Sequence, residues 1–126
     1  MEGQFRMEHL VCERSRLVER KPVFVNVEGM DVGVVLIKDQ VHAVENSCPH
    51  AEGPVCLGDV SNRVRMKLDE NKLNRGEYAS PDEVNIVCPW HGLEFDIASG
   101  VCTADSRFKL HKLAAIERDG KIYISL

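Results

Sequence analysis

Apolar and polar positions alternate along two stretches of this chain and lose their order between them. The first stretch, VFVNVEGMDVGVVLIK, holds two β-branched runs, 23–27 and 32–38, separated by EGMD. Glu28–Asp31 has the length of a hairpin loop, and Gly29 tolerates the positive φ such a loop needs. Asp39 and Gln40 then lead into VHAVE, a third short strand, so the pattern predicts an antiparallel meander. The second stretch, LHKLAAIERDGKIYISL, repeats the device. Its Asp119-Gly120 pair marks a tight turn, after which Ile122 and Ile124 alternate with Tyr123 and Ser125. Residues 109–117 are not rich in β-formers and also fit a helix, but the turn that follows favours a strand.

Between these blocks, 46–103 carries the only tryptophan and two loops, SCPHAEGP and CPWHG. The loops are separated by VSNRVRMKLDENKLNRGEYASPDEV, which mixes five basic with five acidic residues. Val64, Met66 and Leu68 alternate there with Arg63, Arg65 and Lys67, which predicts a strand with one basic face. That basic face reads as solvated rather than as a docking patch. The rest reads as mobile loop, so 61–83 is expected to be an appendage with little to bury.

At 126 residues the chain has the length of one domain, 1–126. Its net charge of −4 and the lack of a Lys/Arg run argue against nucleic acid as partner. No apolar stretch has the length of a membrane span, and the first residues, MEGQFRMEHL, lack the apolar core of a signal peptide. A cytoplasmic protein with no membrane contact is expected. Five cysteines is an odd count that suits a disulfide scaffold poorly. In a reducing compartment a cysteine is a metal ligand, a reactive thiol or a small buried hydrophobe. Cys12, Cys56 and Cys102 lie in apolar surroundings and read as buried thiols. His42 and His111 read as surface or half-buried residues rather than ligands.

Cys48-x-His50 and Cys88-x-x-His91 are different, because each pair lies within one loop and both cysteines precede proline. Proline stiffens such a loop, while the glycine after His91 lets backbone pass close to a bulky inorganic group. Two metal chemistries accept two thiolates and two imidazoles. Structural zinc takes all four on one ion. A Rieske [2Fe–2S] centre puts two cysteines on one iron and two histidines on the other. Zinc knuckles and fingers usually pair like with like along the chain, whereas here each loop brings one of each. That arrangement suits a cluster held between two loops.

CPHAEGPVCLGDV and VCPWHGLEFDIASGVC resemble the two cluster loops of Rieske proteins, in particular the soluble Rieske-type ferredoxin and oxygenase group. The resemblance implies an all-β fold, an antiparallel β-sandwich whose base spans about 1–45 and 104–126. The cluster-binding part would span about 46–103, with an insertion around 61–83. It also implies one [2Fe–2S] cluster, with Cys48 and Cys88 on the inner iron and His50 and His91 on the outer. High-potential members carry a disulfide between the loops; its second cysteine would fall at Trp90, so none is expected here. In such members a serine and a tyrosine donate hydrogen bonds to the cluster's sulfurs. Their positions are Leu93 and Phe95 in this chain, which implies a low potential. Thirty-seven residues separate His50 from Cys88, more than the family usually has, and loop closure tolerates this because its cost grows slowly with length.

The role implied is that of a monomeric electron carrier, not an enzyme. Its partners would be a flavin-dependent reductase and a terminal oxygenase or similar acceptor. Pro49, Pro54, Leu57, Pro89 and Trp90 would form an apolar collar for transient docking, with Trp90 mainly packing over the loops. The alternatives are a small or regulatory subunit of a larger reductase, such as a nitrite reductase, and a zinc-stapled interaction module.

Overall fold

A computed structural model describes residues 7–49, 52–90 and 92–126. Nine strands account for most of it: β1 (Glu8–Glu13), β2 (Val23–Val27), β3 (Met30–Ile37), β4 (Gln40–Glu45), β5 (Val60–Leu68), β6 (Asn74–Val87), β7 (Glu94–Asp96), β8 (Lys112–Arg118) and β9 (Lys121–Ser125). Six of them form one sheet in the order β1-β9-β8-β4-β3-β2, and three form a second in the order β5-β6-β7. Every strand pairing is antiparallel. The expected all-β antiparallel architecture is what the chain adopts.

The meander forms where the turn chemistry allows it. Three hairpins close over two residues that both hold positive φ: Glu28-Gly29 (51° and 87°), Lys38-Asp39 (48° and 65°) and Asp119-Gly120 (54° and 75°). Such turns match the twist of the flanking strands, so they fix register. Residues 112–118 are strand, as the turn after them favoured.

β3 is buried on both faces, and its two-residue period sorts its side chains between two cores. Val32, Val34 and Leu36 pack with Cys12, Leu17, Val27, Ala43, Ile122 and Ile124. Val35 and Ile37 point the other way, into a core shared with Val44, Val55, Val84, Ile86, Phe95, Ile97 and Leu110. That second core joins the two sheets and contains Cys48 and Cys88.

The segment expected to be an appendage needs correcting in its second half. Residues 74–83 are not loop but part of the 14-residue strand β6, which pairs with β5 from Val60↔Ile86 to Leu68↔Asn74. Asn74, Gly76 and Pro81 are poor strand formers, which hid it; pairing with the regular strand β5 overrides their propensity.

Candidate metal centre

β4 runs out three residues before Cys48, and β6 ends on the residue before Cys88. The two segments that follow close alike. Cys48 N–H donates to the Gly53 carbonyl at 2.8 Å, and the Cys48 carbonyl accepts from Glu52 N–H at 2.7 Å. Cys88 N–H donates to the Leu93 carbonyl at 2.8 Å, and its carbonyl accepts from Gly92 N–H at 2.9 Å. In both, the residue four places after the cysteine has positive φ, 59° at Glu52 and 71° at Gly92. One segment is written C-x-H and the other C-x-x-H, yet their backbone frames are twins. Each frame uses up its cysteine's own N–H and C=O, which anchors the thiol at the loop's root.

Two glycines let the twins touch. A Cβ on Gly53 would lie 2.9 Å from the Trp90 ring and 3.1 Å from Cys88 Sγ, so the first loop's backbone rests against the second loop's cysteine and indole. A Cβ on Gly58 would lie 1.5 Å from the Val87 carbonyl oxygen, beside the 2.9 Å hydrogen bond from Val87 N–H to the Asp59 carbonyl. No other residue permits backbone approach this close. The sequence drew attention to Gly92 only; Gly53 and Gly58 show their purpose through partners at least 29 positions away.

Cys48 and Cys88 are each 1% exposed and share one core. His50 and His91 lie outside the described residues. Phe95 is fully buried in β7 opposite Ile86, and Leu93 packs against the same core; neither side chain carries a hydrogen-bond donor. None of the five cysteines is in a disulfide. Cys12, Cys56 and Cys102 are buried, in keeping with their apolar surroundings. Burial pushes the Cys56 thiol up to about 12 and also raises that of Cys12. Thiols so placed stay protonated at neutral pH and are inert.

His42 is half-buried, and burial followed by the neighbouring Lys112 charge pushes it below the ordinary histidine range. Lys112 Nζ lies 3.3 Å from His42 Nδ1 and donates to the Ala98 carbonyl at 2.7 Å. His111 is exposed, its Nδ1 3.0 Å from Glu45 Oε1. Of the expected collar, Pro49, Leu57, Pro89 and Trp90 are exposed and Pro54 is half-buried. Trp90 does pack over the first loop at Gly53 and still leaves 58% of its surface free.

Residues 7–114 match the family model of the Rieske [2Fe-2S] domain. The chain belongs to this family. Rieske domains bind one [2Fe–2S] cluster through cysteine and histidine, and the described half of the donor set here, two buried cysteines on twin loops in contact, fits such a group. No curated protein matches the chain significantly. Among solved structures, a protein described as an NADH-dependent nitrite reductase small subunit from Mycobacterium tuberculosis superposes with a TM-score of 0.75 at 20% identity, covering 98% of this chain and 97% of that one. The ferredoxin of carbazole 1,9a-dioxygenase from Nocardioides aromaticivorans IC177 gives 0.67 at 22% identity, with 96% and 97% covered. Dicamba monooxygenase gives 0.65 at 21% identity, the match spanning 94% of this chain and 32% of the larger one. At these identities the likeness is one of fold. No described helix is long and apolar enough to cross a membrane.

Proposed function

We propose that this Rieske protein is a carrier of single electrons rather than an enzyme, and that Cys48, His50, Cys88 and His91 hold its cluster. The observation that carries the proposal is the pair of twin loops, which set Cys48 and Cys88 in one buried core beneath exposed apolar residues. When bound, a [2Fe–2S] cluster supplies a one-electron couple. The chain's residues do the rest. Cys48 and Cys88 would supply thiolates from the buried side to one iron, and His50 and His91 would supply imidazoles to the other. Trp90 and Gly53 seal the contact between the loops. Pro49, Leu57, Pro89 and Trp90 offer a small apolar surface of the kind that transient redox encounters use, below about 1,200 Å². The donor is proposed to be a flavin-dependent reductase and the acceptor a terminal oxygenase or similar protein, with the carrier cytoplasmic, monomeric and folded as one domain.

The alternative role, small subunit of a larger reductase, is favoured by a different observation: Val64, Met66 and Leu68 are more than half exposed on the β5–β6 hairpin. A subunit would co-purify with its large partner, while a carrier would not. Iron and sulfide analysis, with the visible spectrum and the EPR of dithionite-reduced protein, tests the shared premise. About two irons and two acid-labile sulfides per chain are expected. Stoichiometric zinc without sulfide, in protein expressed with adequate iron, overturns it.

A further inference from the structure

The hairpin that supplies Cys88 continues well beyond the site. Its root is tied to the large sheet: Arg20 Nη2 donates to Asn62 Oδ1 at 2.7 Å, and Lys38 Nζ donates to the Pro81 carbonyl beside Asp82. Lys38 sits in the β3–β4 turn, at the end of the sheet opposite the end where β4 runs toward Cys48. The rest, Val64 to Ala79, therefore projects as an arm away from the metal site.

The two strands of this arm differ. Between the pairs Asn62↔Val84 and Val64↔Ala79, β5 advances two residues while β6 advances five; between Met66↔Glu77 and Leu68↔Asn74, β5 advances two and β6 three. All the bulges are on β6, which also carries Gly76 at φ 121° and Pro81. β5 stays regular over nine residues and lies at the edge of its sheet, so among the described residues its outer N–H and C=O groups face no strand. Edge strands are normally blunted by bulges, proline or charged side chains; here the bulges and the proline sit on the inner strand, and β5 is guarded by charge alone, which repels a like edge and admits an acidic one.

Side-chain alternation gives this edge a character. Arg63, Arg65 and Lys67 share one face, with no acidic residue on β5. Glu83 reaches across to Arg65 at 2.6 Å and Arg63 at 3.6 Å, which leaves that face net positive. Val64, Met66 and Leu68 share the other face, each 52–59% exposed. A second copy pairing antiparallel through the same edge would set arginines and lysine against their own kind, and like charges directly opposite destabilise a strand pair. We propose that the outer edge of β5 docks a β-strand of a partner protein in which acidic residues alternate with apolar ones. Backbone pairing would give the affinity and the alternating side chains the specificity. The inference goes beyond electron transfer: it assigns the arm the task of holding a partner while the metal-site end stays open.

The test uses the intact, cluster-loaded protein and two synthetic peptides of about nine residues, alternating Glu with Val or Lys with Val, matched to the length of β5. The Glu/Val peptide is expected to bind, to slow amide exchange along β5, and to weaken as salt rises. The Arg63→Glu/Lys67→Glu variant, which keeps the Arg65–Glu83 pair, should bind it at least tenfold more weakly and should accept the Lys/Val peptide. The visible spectrum of the same samples separates loss of the cluster from loss of docking. No binding of the Glu/Val peptide to the unaltered protein, equal binding by both proteins, or a dimer by light scattering that the double variant abolishes would each overturn the proposal.

Discussion

The β5–β6 hairpin has two halves with the same alternation and opposite fates. In the root, Val84 and Ile86 are 3% and 1% exposed and pack under Cys88; in the arm, Val64 and Met66 are 58% and 59% exposed. Alternation therefore decides which face a side chain takes, while burial depends on whether another layer arrives to cover it. The root meets the large sheet through the second core. The arm has run past that sheet and is held by its own ladder and by charged pairs such as Arg65–Glu83 and Arg75–Asp69.

The contrast can be broken most severely at Gly58. Gly58→Ala places a methyl group 1.5 Å from the Val87 carbonyl oxygen, so backbone must move where the root meets the first loop. A loss of about 3 kcal/mol or more is expected, together with the cluster's absorbance. Thermal denaturation and the visible spectrum measure both, and retention of the parent's stability would mean the loops do not meet there. A direct pairing follows: Ile86→Ala should cost about 2–5 kcal/mol for a filled site, against less than about 0.5 kcal/mol for Met66→Ala in the arm. Similar costs in urea melts would show that the arm is covered in solution.

The core beside the root also sets a pH response. Cys56 has its thiol pushed up to about 12, above the usual cysteine value of about 8.5. Between these two values the unfolded chain sheds a proton that the folded chain keeps, so stability falls as pH rises from about 9 to 12. The slope is at most about 1.4 kcal/mol per pH unit for this residue. Cys56→Ala should flatten urea-melt stability across that window; an unchanged slope would assign it elsewhere.

Smaller effects sharpen the comparison through the redox potential. Phe95→Tyr and Leu93→Ser each place a hydroxyl where the resemblance to high-potential Rieske proteins would put one. If each donor favours the reduced state by ~1.4 kcal/mol, the midpoint rises by ~60 mV apiece. Tyr78→Phe removes a hydroxyl from the arm and should leave the midpoint alone. Voltammetry showing equal shifts at Leu93 or Phe95 and at Tyr78 in the arm would separate potential from hydrogen bonding near sulfur. The smallest effect belongs to the arm as a whole. Replacing 64–79 by a tight turn should leave the cluster's spectrum unchanged, and a shortened protein unable to hold a cluster would make the arm structural.

Much of this molecule is legible from residue order, and the exceptions share a cause. The β2–β3–β4 meander and the β8–β9 hairpin are readable because their turns and β-branched runs are local signals. β1, with polar residues at both ends, becomes a strand by pairing with β9 more than 100 positions away, and the three-residue β7 exists through β6. At the site, Cys48 and Cys88 stand out by motif. The twin hydrogen-bonded frames do not, because Glu52 occupies the left-handed position that Gly92 fills in the other loop. A glutamate there gives no hint of the turn it makes.

The indole of Trp90 lies across Gly53, with Cys88 Sγ at its side. Since it is the only tryptophan in the chain, all indole emission originates within contact distance of the metal-binding loops. A broadly absorbing group seated between those loops would drain that emission, and its departure would restore it. The protein thus carries its own optical gauge of cluster loading, readable in a mixture of filled and empty molecules without attaching a dye.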